Sequence, residues 1–355
     1  MGPPLPPVRI GPAPPGPLRV RQIGAEVVLS TALPGTRTDG TRLGPEAEVR
    51  VLRLKATGTL RPGAVSDRYL VQQFQKQASV IAGLAGEDLR RSISRGRFLF
   101  SDRDAVATPT ATEGQPPRFL YALHIVEGKN NRSPLRVPSE IEVAAPLPAP
   151  GGLMAEVAEG EVRLAWTPAG GGAEMAATVT LPAPGFNVYR MEAAESTSPE
   201  DPLNPQPLAE PSFVDTTFRY DVTYAYSVRA VDPVQGTLRE SVASPPIEVR
   251  PHDRFAPMAP SGIAVAVEGA VIKVYWFPNA EPDLAGYRIY RRSAGESAPT
   301  RIGETPAAES SFIDPGAAPG VRYHYSVSAV DGADPVNESP RSEEKSEMLS
   351  GGGAA

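Results

Sequence analysis

The 355-residue sequence has no cysteine, only three histidines and only two tryptophans. Without cysteine there are no disulfides, no thiolate metal sites and no cysteine nucleophile, and the redox compartment stays open. No stretch approaches the roughly 18 to 20 consecutive apolar residues that a membrane helix needs. The opening Met1-Gly-Pro-Pro-Leu-Pro-Pro7 has neither a basic n-region nor an apolar h-region, so no signal peptide is expected in it. There is no glycine-rich phosphate loop, no His-Glu-x-x-His and no Gly-x-Ser-x-Gly. These absences leave no catalytic residue to nominate, and they imply no cofactor and no metal.

What is abundant is proline, 41 residues against a usual share of roughly 5%. Proline breaks helices and is excluded from central strands, so many short strands joined by proline-bearing loops are expected. Apolar content of 41% suffices to bury one or more cores. The net charge of −6 hides an asymmetry. Residues 1–145 hold 20 Lys+Arg against 13 Asp+Glu, a balance of +7; residues 146–355 hold 15 against 28, a balance of −13. Such a contrast hints that the two parts meet different surfaces, or that both are solvated faces.

The sequence repeats itself. Tyr224-Ala-Tyr226-Ser-Val228-Arg-Ala230-Val231-Asp232 matches Tyr323-His-Tyr325-Ser-Val327-Ser-Ala329-Val330-Asp331, with apolar residues at every second position as in a half-buried strand. Upstream, Phe213-Val214-Asp215 answers Phe312-Ile313-Asp314, Phe186-Asn-Val188-Tyr189-Arg190 answers Tyr287-Arg-Ile289-Tyr290-Arg291, and Val162-Arg-Leu164-Ala-Trp166 answers Ile272-Lys-Val274-Tyr-Trp276. Repeats of about 100 residues, rich in strands with turn residues between them, have the size and rhythm of an immunoglobulin-like sandwich.

At these residues the chain resembles the fibronectin type III family, over roughly residues 147–348. That family places a tryptophan in strand B (here Trp166 and Trp276), a Tyr-Arg pair ending strand C (Tyr189-Arg190 and Tyr290-Arg291), and a tyrosine opening strand F (Tyr224 and Tyr323). Pro282-Asp283-Leu284-Ala285-Gly286 is similar to bacterial members. The resemblance implies an all-β fold of three tandem sandwiches. In it Trp166, Trp276, Tyr224 and Tyr323 are core residues, the tyrosines returning their hydroxyls to nearby backbone. Sugar stacking by the tryptophans is the weaker alternative.

The first segment is divergent. Phe119-Leu-Tyr121-Ala-Leu123-His-Ile125 aligns with the strand-F pattern, but Phe119 stands where the corner tyrosine belongs and Thr31 about where the tryptophan should be. An insertion follows at about 66–96. Leu70, Phe74, Gln77 and Ala78 share one helical face with Ser66 as N-cap, and Glu87 to Ile93 form another short turn stopped near Gly96. The expected division is a proline-rich extended lead-in at 1–17, sandwiches at 18–145, 146–251 and 252–348, and a disordered tail at 349–355. Ala145–Gly152 and Arg250–Ser261 are proline-bearing joints.

The remaining features favour structure over chemistry. His124 and His324 fall at outward-facing strand positions and His252 in a linker, so they cannot easily converge on one metal or serve one triad. Asp331, Asp334, Asn337 and Glu338 suggest calcium at first sight, yet an acidic F–G turn explains them better. Gly170-Gly171-Gly172 belongs to a B–C loop. Arg90, Arg91, Arg95 and Arg97 crowd the insertion and are the candidate partner-binding surface, because arginine pairs well with carboxylate and phosphate. The expected function is a non-catalytic extracytoplasmic spacer and protein-binding module whose partner is an envelope protein or acidic polymer. The Gly-Pro-Pro-Leu-Pro-Pro start also resembles the stretch after the lipidated cysteine of bacterial envelope lipoproteins, so a membrane enters only through an N-terminal lipid anchor lost from this chain. Two other readings stay open: the accessory region of a secreted polysaccharide-degrading enzyme, and a nucleic-acid or polyanion binder acting through the basic first sandwich. Nucleic acid is disfavoured, since Phe98 and Phe100, the only aromatics among those arginines, fit a strand core.

Overall fold

The computed structural model describes residues 10–58, 60–106, 116–129, 131–169, 185–193, 195, 199–234 and 237–350. Gly170-Gly171-Gly172 and the last five residues lie outside them. The chain divides into two compact units. One comprises Met1–Glu156, Glu161–Phe218 and Val222–Arg250; the other comprises Val157–Gly160, Arg219–Asp221 and Pro251–Ala355.

The first sandwich runs β1 (Arg19–Ile23), β2 (Glu26–Thr31), β3 (Glu48–Ala56), α1 (Asp67–Gln77), β4 (Ser79–Ala85), α2 (Gly86–Arg91), β5 (Ile93–Ser94), β6 (Arg97–Asp102), β7 (Arg118–Glu127), β8 (Asn131–Arg132) and β9 (Ser139–Glu142). Its two layers are β1-β2-β6-β5 and β4-β3-β7, with β8 and β9 both pairing β7. Val27, Leu29, Val51, Phe98, Tyr121 and Leu123 fill the space between the layers. The inserted helix α1 starts where expected: Ser66 Oγ accepts the Tyr69 N–H. Leu70 and Phe74 pack on Leu52, Leu120 and Ala122, which project from the other face of β3 and β7. That covers both faces of β7, which is why it is almost continuously apolar instead of alternating. Gln77, expected on the same face, is exposed and bonds Gln73.

The lead-in is held down where it is described. Ala13 N–H donates to the Thr36 carbonyl at 3.1 Å and Gly16 N–H to the Ala32 carbonyl at 2.9 Å. His124, expected to face outward, is buried, with Nδ1 2.9 Å from the Ser133 carbonyl, because β8 and its following loop fold over that end of β7.

The second sandwich contains β10 (Gly151–Ala158), β11 (Glu161–Thr167), β12 (Gly185–Glu192), β13 (Ser212–Asp215), β14 (Tyr224–Val234), β15 (Thr237–Glu240) and β16 (Ile247–Val249). The third contains β17 (Ser261–Glu268), β18 (Val271–Phe277), β19 (Leu284–Ser293), β20 (Thr300–Pro306), β21 (Ser311–Asp314), β22 (Arg322–Asp331) and β23 (Lys345–Met348). Each sets a three-stranded sheet, β10-β11-β13 or β17-β18-β21, against a second layer, β12-β14-β15 with β16 on β14, or β20-β19-β22-β23. Helix occurs only in the first sandwich among the described residues.

Trp166 and Trp276 are buried and meet Phe186 and Tyr287 edge-on, with centroids 5.4 and 5.1 Å apart. Leu349, expected in the tail, is buried in the third core, its carbonyl accepting the Gly320 N–H.

Every sandwich carries the same buried polar triad. Tyr121, Tyr226 and Tyr325 donate their hydroxyls to Asp102, Asp215 and Asp314 at 2.7, 2.8 and 2.7 Å. Each aspartate also takes Nη1 of an arginine from the third strand: Arg53 at 2.7 Å, Arg190 at 2.6 Å and Arg291 at 2.8 Å. Each guanidinium in turn lies over the first aromatic of the tyrosine strand, Phe119, Tyr224 or Tyr323. A cation buried against a π-face and a carboxylate is tolerated because both partners compensate its desolvation. Burial and the bond to its aspartate drive each of the three hydroxyls well above the usual tyrosine range.

Candidate interaction surfaces

The four arginines singled out in the sequence have different surroundings. Arg90 and Arg91 are exposed on α2, and Arg91 pairs along the helix with Glu87 at 2.6 Å and Asp88 at 3.6 Å. Arg95 reaches Glu195 of the second sandwich at 2.5 Å, and Arg97 Nε reaches Glu200 at 2.9 Å. Arg19 adds Asp201 at 2.7 Å, and Arg21 donates to the Glu200 carbonyl at 2.9 Å. Part of the positive charge of residues 1–145 therefore meets part of the negative charge that follows it within one unit. Isolated exposed pairs of this kind stabilise little, but a row of them fixes orientation.

Behind that row the two sandwiches share a sheet. β15 pairs in parallel with β1, Gln22 opposite Arg239 and Ile23 opposite Glu240, so one sheet runs β12-β14-β15-β1-β2-β6-β5. Glu240 is 1% exposed and accepts from Asn187 Nδ2 at 2.7 Å, the Tyr189 hydroxyl at 2.5 Å and Arg229 Nη1 at 3.0 Å, with Arg21 Nη1 at 3.9 Å. Gln22, fully buried, donates to the Gly24 and Ala144 carbonyls and accepts the Ala144 N–H. Arg239 donates to the Ala145 carbonyl. The joint expected at 145–152 is thereby tied at its start to the sheet. A parallel register between two repeats has no short-range signature in the sequence, and this contact was not foreseen.

The acidic residues after the third sandwich's penultimate strand are structural in part. Asp331 is buried, and its carboxylate accepts the Asn337 N–H at 2.8 Å, Asn337 Nδ2 at 2.7 Å and the Ala333 N–H at 3.2 Å. Glu338 takes Arg288 at 2.6 Å, and the Tyr290 and Ser328 hydroxyls at 2.5 Å each. Asp253 and Asp283, distant in sequence, bring carboxylate oxygens within 4.8 Å of one another and of Asp331. Burial and the neighbouring charges of Asp331, Asp283 and Asp221 lift the Asp253 carboxyl above its usual range, against the Phe255 N–H that lowers it. Three such oxygens are the donor type of a hard cation.

The strand order settles the fold. In the third sandwich the first, second and fifth strands form one sheet and the fourth, third, sixth and seventh form the other, with the tryptophan on the second strand and the Tyr-Arg pair on the third. The fold is that of tandem fibronectin type III domains. No family model matches the chain. A curated relative, Exoglucanase B of Cellulomonas fimi, is 28% identical over 194 residues, which is 53% of this chain and 15% of the exoglucanase. Solved structures similar to the chain include the FN1–FN3 domains of chicken CNTN1, at 17% identity and a TM-score of 0.27, covering 96% of this chain and 100% of that one. A two-domain fibronectin type III segment of chicken tenascin is 15% identical with a TM-score of 0.34, covering 56% and 98%. No helix of the described residues is long and apolar enough to cross a membrane.

Proposed function

We propose that the chain is a non-catalytic, extracytoplasmic spacer and protein-binding module built of fibronectin type III sandwiches at 18–145, 146–251 and 252–348. The supporting observation is the shared sheet, with Glu240 buried at its seam, that fuses the first two sandwiches. A spacer sets a separation only if its joints resist bending, and a hydrogen-bonded seam resists better than a free linker. The partner surface on this reading is the first sandwich around Arg90, Arg91, Arg95 and Arg97, and the partner is an acidic envelope protein or polymer. Arg90 and Arg91 are its part free of contact with the second sandwich, while Arg95 and Arg97 reach Glu195 and Glu200 there. The test is a pulldown from a native envelope fraction with the full chain and with Arg90→Glu/Arg91→Glu. Capture should weaken as salt rises, since screening shortens to about 8 Å at physiological ionic strength, and the loss should lie mostly in the association rate. Unchanged capture by the glutamate variant rejects the surface.

A second reading, the accessory region of a polysaccharide-degrading enzyme, is favoured by the match to Exoglucanase B over half the chain. Co-sedimentation of the full chain with an insoluble glucan separates the two. Retention on the glucan and no capture from the envelope fraction select the accessory reading.

A further inference from the structure

Trp276 is buried and cannot stack a ligand, but the next residue of β18 points to the other face of its sheet. Among the described residues the exposed aromatics are Tyr69 and Phe277, Phe277 the more so at 66%. Its ring has a fixed seat. A Cβ at Gly262 would fall on the flat of that ring, over Cδ2, Cε2 and Cγ, so one aromatic face rests on the Gly262 backbone and the other is left open. Gly262 has φ +64 and lies in the irregularity of β17 between Ser261 and Ala264, where only glycine leaves room for the ring. The fold does not itself require an aromatic there. In the second sandwich the equivalent glycine, Gly152 with φ +59, has Thr167 over it, Oγ1 standing 3.1 Å from where a Cβ would be. The frame is the same in both repeats, and only the third places a ring on it.

Beside the ring lie Met258, 77% exposed, with Pro278, Asn279 and Glu281, which line one cleft with it in the second unit. The cleft is held in shape by its own bonds. Met258 N–H donates to Glu281 Oε1 at 2.7 Å, Asn279 Nδ2 donates to the Met258 carbonyl at 2.8 Å, and the Asn279 N–H to the Tyr287 hydroxyl at 2.8 Å. A surface ordered beforehand loses little entropy on binding. No Lys, Arg or His lines the cleft, so a phosphate or carboxylate would meet no counter-charge there. A wholly apolar partner would take water from Glu281 without replacing its hydrogen bonds. What fits is a ligand with an apolar face and a rim of hydroxyl donors. A β-linked glucose ring has that form, because its hydroxyls are equatorial and its faces are C–H. We propose that Phe277 is a stacking platform for a β-1,4-glucan, with Glu281 accepting a hydroxyl from the ring stacked on it; this rests on the reading of the chain as an accessory region. The neighbouring outward ring, Tyr275, takes no part, since Lys273 Nζ already lies 4.8 Å over it.

Co-sedimentation of the full chain with an insoluble β-1,4-glucan tests the platform. The parent chain should be retained. Phe277→Thr, which repeats the choice of the second sandwich, should weaken retention about tenfold with unchanged melting, the size expected for one lost aromatic stack. A second measurement does not depend on that variant. Phe277→Trp adds an exposed indole to the two buried ones, and its emission should shift to the blue as a soluble β-1,4-glucan oligosaccharide is added. A retained parent with Phe277→Thr retained equally, or with unshifted emission from Phe277→Trp, overturns the platform and leaves the accessory reading standing. A parent that is not retained removes both. Loss of oligolysine binding in Phe277→Thr with glucan retention intact assigns the cleft to a cation, and that also overturns the proposal.

Discussion

The tyrosine that matters most for polar closure of each core is one alternation further along its strand than the family pattern suggests. Tyr323 receives only the Ala318 N–H at 3.4 Å, whereas Tyr325 donates to a buried aspartate at 2.7 Å. Tyr325→Phe should therefore cost about 1–2 kcal/mol by urea unfolding and Tyr323→Phe less, because only the first leaves a buried carboxylate short of a donor. The same triad explains how the first sandwich does without its corner tyrosine. Phe119 keeps the stacking against Arg53, and Tyr121 supplies the hydroxyl. Asp215 and Asp314 stand in the repeat, but the pairing of such an aspartate with arginine and tyrosine is a cross-strand fact that one-dimensional spacing does not state.

Titration of these groups sets the pH window. The hydroxyls of Tyr121, Tyr226 and Tyr325 are raised from 10.0 in the folded chain, so the stability they contribute is complete below pH 10 and is lost as pH rises above it. On the acid side, burial works against ionised Asp215, yet the Thr217 N–H, the Tyr226 and Thr217 hydroxyls and Arg190 together hold its carboxyl below the usual 3.8. Burial also depresses His124 below 6.5, against its contact with the Ser133 carbonyl. Both are lowered, so both contribute stability that is present above their unfolded values and lost as pH falls. His124→Gln should flatten the decline in first-unit melting temperature just below pH 6.5, leaving the steeper loss near the carboxylate range. An unchanged profile would show that the imidazole takes up its proton without cost.

At the scale of elements, α1 was legible and what it does was not. Ser66 and the spacing of Leu70 and Phe74 announce an amphipathic helix, but only the fold shows that its apolar face roofs β3 and β7. The continuous apolar run of β7 was the available clue, since a strand wet on one face alternates. Phe74→Ala should destabilise the first unit by about 3–5 kcal/mol, the usual range for removing a fully buried phenylalanine. Gln73→Ala on the same helix should be nearly neutral, and chemical denaturation of the two variants side by side checks the contrast. If Phe74→Ala also proves neutral, the helix is an appendage, not a second core layer.

For the molecule as a whole, three tandem sandwiches could be read from the repeat, but the tie between the first two could not. Equivalent proline-bearing joints at 145–152 and 250–261 suggest two equally open positions. The structure closes the first of them: Ala144 and Ala145 are hydrogen-bonded to Gln22 and Arg239 in the shared sheet. A protease must draw several residues out of the fold before it can cut, so the cost of local opening decides where it cuts first. Limited proteolysis should therefore leave 145–152 uncut at early times in the parent chain. Glu240→Ala is the variant that should open this joint. It leaves Arg229 and Arg21 without their carboxylate at the seam, a loss of the kind that costs about 3–5 kcal/mol when one partner of a buried pair is removed. The close partners of Glu240, namely Asn187, Tyr189 and Arg229, belong to the second sandwich and Arg21 of the first lies 3.9 Å away, so the cost falls mainly on the second sandwich's side of the seam, on the strand that pairs β1. Mass spectrometry of the fragments should then show early cleavage near 145–152 in Glu240→Ala and not in the parent chain. Early cleavage there in the parent would mean that the parallel seam does not bind the two sandwiches, and the stiffness argued for the spacer would go with it.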